Sequence, residues 1–208
     1  MKRSTLILLK TLTWIACLWP IVRLAWGAVT NNLGADPTAT MSFATGLATL
    51  RLLTISLAIT PLRRLSPRLS WLIKFRRLLG LFAFFYACMH LLAYVALYAG
   101  FDVNAMIADV TKRRFITMGV AAWLLLLPLA ATSTNWAIRK LGGKRWNRLH
   151  KLVYLAAVCG VIHYWWQVKT GVLTPLGITV MLAILLLARP VQTWMQRRKT
   201  RPVAARAL

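Results

Sequence analysis

The sequence predicts an all-α integral membrane protein, one domain over residues 1–208, folded as a bundle of about six transmembrane helices. Three observations carry this prediction. Hydrophobic residues make up 59% of the chain and the mean hydropathy is +0.63, whereas a soluble domain is about 45–50% apolar. The apolar residues fall in runs close to the roughly 20 residues that cross a bilayer core of about 30 Å. The charge is lopsided, with 27 Lys and Arg against three acids, Asp36, Asp102 and Asp109, and the basic residues sit in clusters between the apolar runs.

In chain order, the predicted spans cover about 7–29, 43–62, 78–98, 116–134, 152–168 and 174–190. The first follows Lys2, Arg3 and Lys10. It reads as an uncleaved helix rather than a signal peptide, because it is long and has no clear small-x-small cleavage site. The fifth and sixth are short and are joined by a tight turn near Lys169–Gly171. Beyond about residue 196 the chain is a basic tail containing Pro202, with the composition of a disordered end. No internal repeat is evident along the sequence.

Basic residues alternate across the connections. The N-terminus carries three and the first connection none. The next four carry six, three, six and one, and the end of the chain from Arg189 to Arg206 carries six. One side therefore collects 21 and the other four. The positive-inside rule makes the first side cytoplasmic, with both termini there. Lys112–Arg114 departs from the pattern, offset in part by Asp102 and Asp109. A net charge of +24 could also suggest nucleic acid. The placement of the charges beside apolar spans excludes that partner and points to anionic lipid. The three cysteines, Cys17, Cys88 and Cys159, lie inside apolar runs in odd number, which argues against a disulfide framework.

The residues able to carry chemistry are few. There are three histidines, His90, His150 and His163. His90 lies about 19 Å along the third span from Arg77, and His163 about 18 Å along the fifth from Lys151. Those spans run in the same direction, so His90 and His163 share a depth in the outer half of the bilayer. That is the geometry needed to clamp one haem iron from both faces. His150 lies about 19 Å toward the cytoplasm, and its counterpart on the third span falls near Arg77, where there is no histidine. The plainer alternatives are an interhelical hydrogen bond for His90 and His163, and a headgroup position for His150. Intramembrane ionisable residues are, however, usually functional. The absence of helpful carboxylates near the histidines disfavours metals other than haem iron.

Arg51, inside the second span near the depth of His90, suits a haem propionate, a quinone site or snorkelling to the interface. Arg76 and Arg77 suit an inner propionate, a flavin phosphate or lipid phosphate. Trp165 and Trp166 beside His163 fit the aromatic belt or packing on a haem edge. There is no glycine-rich dinucleotide motif and no catalytic triad or metalloprotease motif. The chain therefore offers an electron path and no site for bond-making chemistry.

Several segments, in order and almost end to end, carry a resemblance. They are LGADP at 33–37, ITPLRR at 59–64, RRLLGL at 76–81, MHLLAY at 89–94, TS at 132–133, LGGKRWNRLHKLVYL at 141–155 and HYWWQVK at 163–169. The chain resembles the MsrQ (YedZ-like) family, haem-binding membrane subunits of the bacterial periplasmic protein-methionine-sulfoxide reductase system. The resemblance implies a ferric-reductase-like transmembrane fold in the bacterial inner membrane. In the wider group two haems stack between the third and fifth helices, held by two histidines on each. The third helix here has only His90. The resemblance therefore implies one haem b on His90 and His163, with His150 as ligand of a second, unusual haem or an alternative ligand to the first. It further implies electrons drawn from the quinone pool, an associated FMN, and delivery to a periplasmic molybdenum-containing catalytic subunit that reduces methionine sulfoxide in proteins. The competing readings are a stand-alone ferric or oxygen reductase of the same fold, against which the missing nucleotide-binding domain counts, and a haem-free transporter.

Overall fold

A computed structural model describes residues 2–168 and 173–199. The turn expected at Lys169–Gly171 and the tail beyond 199 lie outside the described residues. Among those residues the regular structure is entirely helical: α1 (Arg3–Val29), α2 (Pro37–Leu65), α3 (Ile73–Ala93), α4 (Val103–Lys112), α5 (Arg114–Ala131), α6 (Asn135–Leu141), α7 (Gly143–Leu149), α8 (Leu152–Gln167) and α9 (Leu173–Lys199). A 3-10 segment, Pro67–Leu72, leads into α3, and a π-helical segment, Tyr94–Tyr98, extends it.

Among the described residues five stretches are long and apolar enough to cross a membrane: Arg3–Val29, Pro37–Leu65, Pro67–Tyr98, Arg114–Ala131 and Pro175–Met195. The fifth predicted span corresponds to α8, whose 16 residues reach about 24 Å, short of a full bilayer core. Large apolar side chains such as Trp19, Phe43, Leu124 and Leu187 stand exposed around the bundle. An aqueous surface would not tolerate so much contiguous apolar area.

The predicted spans gain short helices between them. Asp102 accepts from the backbone N–H groups of Asn104 and Ala105 and so starts α4. The Thr134 hydroxyl accepts from Ala137 N–H and starts α6. Such side-chain caps satisfy the orphan donors of a helix start. Pro190 does not end the last helix, which continues to Lys199.

The bundle is built on two antiparallel pairs, α2 with α3 and α5 with α8, which are its most extensive helix contacts. Buried Ala83, Ala87, Ala156 and Ala157 let backbones approach in the shared core around Leu53, Leu57 and Leu126, the small-residue packing expected where lipid is the solvent. α3 and α8 make no extensive backbone contact with each other. α9 lies on α2 and α8, where Trp165 Nε1 donates to Thr179 Oγ1 at 2.7 Å. α1 buries only Cys17, Leu24 and Gly27. It is tied on by Trp14 edge-on to Phe82 and by Tyr86, which is fully buried.

Candidate functional site

His90, near the end of α3, and His163, in the last turns of α8, come together. Their rings are 5.8 Å apart between centroids with planes at 78°. The depth matching read from sequence therefore holds in three dimensions. Each ring is held the same way. His90 Nδ1–H donates to Ser42 O of α2 at 2.9 Å, and His163 Nδ1–H donates to Phe115 O of α5 at 2.6 Å. Thr45 Oγ1 also stands 3.4 Å from His90 Nδ1. A carbonyl on Nδ1 fixes the tautomer and leaves the Nε2 lone pair for a metal. Two such imidazoles, on helices without extensive backbone contact, can take one metal ion between them. Among the described residues no group of three or more His, Cys, Asp or Glu side chains could hold a metal. A metal cofactor that would need only two donors from the protein fits this pair.

The two hydrogen bonds each span 48 residues, and one offset relates the whole arrangement. Ser42, Gly46 and His90 become Phe115, Gly119 and His163 when 73 is added, and Arg77 becomes His150. The positions that hold and face the two rings are thus equally spaced in the two helix pairs.

His150 closes α7 at the opposite end of the bundle. Thirteen residues of chain, about 19 Å of helix, part it from His163, so it cannot be an alternative ligand to the same metal. It stacks on Trp146 with centroids 3.7 Å apart, and its Nδ1 pairs with Trp146 O at 3.1 Å. Its Nε2 is buried without a hydrogen-bond partner. Burial pushes the imidazole below its usual value, and nearby Arg76 adds to that. Around it lies a cavity of about 330 Å³ lined by Ser56, Arg76, Arg77, Trp146, Asn147 and His150, among apolar residues. That is the lower end of small-molecule sites, about 300–1,000 Å³. Arg77 also donates to Asn135 Oδ1 at 2.6 Å.

Arg51 is exposed on the outside of α2 rather than buried in the bundle. Trp166 is exposed, as a belt residue would be. Sequence reasoning missed Arg189, counted there with the basic end of the chain. Its guanidinium reaches into the bundle, donates to Leu57 O at 2.7 Å and to the Tyr154 hydroxyl, and lies 4.7 Å over the Tyr154 ring. It also missed Gly46 and Gly119. A Cβ at Gly46 would stand 3.1 Å from His90 Cε1 and Nδ1, and one at Gly119 would stand 2.9 Å from the same atoms of His163.

The model of the ferric reductase like transmembrane component family matches residues 41–161, which include His90 and His150. The chain belongs to that family. Within it, the chain is 48% identical over 201 residues to the protein-methionine-sulfoxide reductase heme-binding subunit MsrQ of Herminiimonas arsenicoxydans, covering 96% of this chain and 92% of that one. It is 46% identical to the MsrQ of Rhodospirillum rubrum, with 90% of each chain covered. The MsrQ of Xanthomonas axonopodis pv. citri is also 46% identical, with 89% of this chain and 87% of that one covered. The chain is a member of the MsrQ family of heme-binding subunits, a multi-pass membrane protein.

Proposed function

We propose that the chain is a b-type cytochrome subunit that carries electrons through the bacterial inner membrane to a methionine sulfoxide reductase. The observation that supports this best is the His90–His163 pair, with both Nδ1 atoms committed to carbonyls and both Nε2 atoms left for iron. Bound between them, haem b supplies one-electron transfer. The protein supplies two neutral, oriented imidazoles, each half-buried between helices.

The orientation belongs to the same reading. The basic connections make the Arg77 and His150 end cytoplasmic, and α8, running beside α3 from that end, is the fifth of six crossings. The histidine pair then lies toward the periplasm, where a molybdenum-containing catalytic subunit collects electrons. Electrons enter from the quinone pool. The cavity beside His150 suits a quinol headgroup: the unpartnered Nε2 can accept a quinol O–H, and Arg76 and Arg77 favour a negatively charged ring oxygen. A second haem on His150 lacks an imidazole partner on α3. An FMN carried by the same subunit is part of this reading through the family.

Absorption spectra of purified protein, oxidised and reduced, test it. His90→Ala and His163→Ala should each lose the low-spin haem signal, while His150→Ala keeps it and slows reduction by a quinol analogue. A full Soret band in both of the first two variants would overturn the assignment.

A further inference from the structure

We infer that Gly46 and Gly119 are positioning residues that set the planes of the two histidine rings, and so the electronic state of the metal between them. The inference rests on the haem reading above and goes beyond ligand identity.

Glycine in the middle of a helix is unfavourable, since it leaves backbone freedom and buries no side chain. Gly46 and Gly119 lie well inside α2 and α5, with no positive φ to account for them. What they share is an imidazole. Each ring lies against a glycine Cα, at distances where an added Cβ would meet the ring at 3.1 Å for His90 and 2.9 Å for His163. In each case the nearest atoms are Cε1 and Nδ1, the edge that includes the hydrogen-bonding nitrogen. The carbonyl that holds that nitrogen belongs to the residue one helical turn earlier, Ser42 for Gly46 and Phe115 for Gly119.

Carbonyl and glycine thus act together. The carbonyl pulls Nδ1 onto the neighbouring helix, and the missing Cβ lets the ring approach closely enough to reach it. A methyl group at either position cannot be absorbed by a flexible side-chain end, because the atom it meets belongs to a rigid ring already tied to the backbone. The ring must tilt or withdraw, which lengthens the Nδ1–H···O bond and turns the imidazole plane. The device occurs twice, related by the 73-residue offset, which a chance packing contact would not require. Among the described residues no other glycine faces a histidine ring. Gly177 in α9 has nothing within 4 Å of such a Cβ, and at Gly80 the nearest atom is Ser56 Oγ at 3.8 Å.

The rings stand at 78° to one another. Axial imidazoles with nearly perpendicular planes give low-spin ferric haem a strongly anisotropic EPR signal, which moves to ordinary rhombic values as the planes turn toward parallel. Ring orientation and hydrogen bonding at Nδ1 also tune the potential. These readouts separate positioning from packing, because a glycine that only let helices approach would change stability and leave them unmoved.

The experiment uses full-length protein purified from membranes, as wild type, Gly46→Ala, Gly119→Ala, Gly177→Ala and His163→Ala. The haem-to-protein ratio, the ferric EPR spectrum and the midpoint potential are measured for each. Gly119→Ala, the closer contact, should hold haem about tenfold less tightly, within the range for groups that orient a metal ligand. Gly46→Ala should retain haem with a shifted EPR maximum and a shifted potential, and Gly177→Ala should match wild type. If Gly119→Ala does not accumulate in membranes, Gly46→Ala decides by the same readouts. Wild-type haem content, EPR and potential in the glycine variants, with haem lost in His163→Ala, would overturn the inference and leave the haem reading standing. Haem retained in His163→Ala would overturn both.

Discussion

Replacing Tyr86 by Phe tests how α1 is held. Tyr86 has no exposed surface. Its hydroxyl donates to Cys17 O at 2.6 Å and accepts from Ile21 N–H at 3.2 Å. Those two groups are the carbonyl and amide of one i→i+4 rung of α1, beside Pro20, so the phenol has inserted into the helix ladder where proline already weakens it. Tyr86→Phe leaves both without the hydroxyl in an apolar setting. An unmade hydrogen bond at a buried group costs about 1–3 kcal/mol. The carbonyl and amide can partly recover by closing on each other, so a net loss of about 1.5–3 kcal/mol is expected. Because α1 buries so little else, the loss should appear as local release of that helix. Cys17, buried beside the phenol, reports it. In membranes treated with a permeant maleimide and mapped by mass spectrometry, labelling of Cys17 should rise roughly 10- to 100-fold, since 1.4 kcal/mol is a factor of ten. Cys159, on α8, should not change. Unchanged labelling at Cys17, or an equal rise at both cysteines, would refute the wedge.

Two more outcomes follow from the opposite end of the bundle. Arg189→Gln removes the charged donor to Leu57 O and the contact with the Tyr154 ring; charge-assisted bonds contribute about 1.5–3 kcal/mol, so the melting midpoint in detergent should fall by several degrees, and an unchanged midpoint would refute the role. The His150 imidazole is held below its ordinary value of 6.5 chiefly by burial. The unfolded chain therefore binds the proton more readily, so its contribution to stability is present above pH 6.5 and is lost as the pH falls below it. His150→Gln should flatten that acid limb of the stability profile, and a difference that grew toward alkaline pH would refute the sign.

The histidine pair was legible in the sequence because two helices running the same way convert residue counts into depth. Thirteen residues from Arg77 and thirteen from His150 arrive at the same level. What lay out of reach depends on contacts between helices. Ser42, Phe115, Gly46 and Gly119 matter only through rings 44 or 48 positions away, and nothing near them in the chain signals it. That Arg189 turns into the bundle while Arg51 is exposed was likewise out of reach, since an arginine's depth says nothing about which side of its helix faces the bundle. The short helices α4, α6 and α7 were hidden for another reason. Each is ten residues or fewer, too short for a periodic pattern to stand out, and two of them start on capping side chains that serve equally well in turns.

The 73-residue offset also bears on how a flat ligand would choose its orientation. A clamp made of two equivalent halves presents nearly the same chemistry to both faces of whatever it grips. It cannot by itself tell one face from the other, or distinguish a ligand from the same ligand turned over. Handedness has to come from places where the halves differ. The nearest is Thr45, whose hydroxyl oxygen stands 3.4 Å from His90 Nδ1 as a second acceptor, while the equivalent position on the other half is Met118, whose thioether is only a weak acceptor. That mismatch gives the two imidazoles unequal surroundings, and with them a direction to an otherwise similar grip.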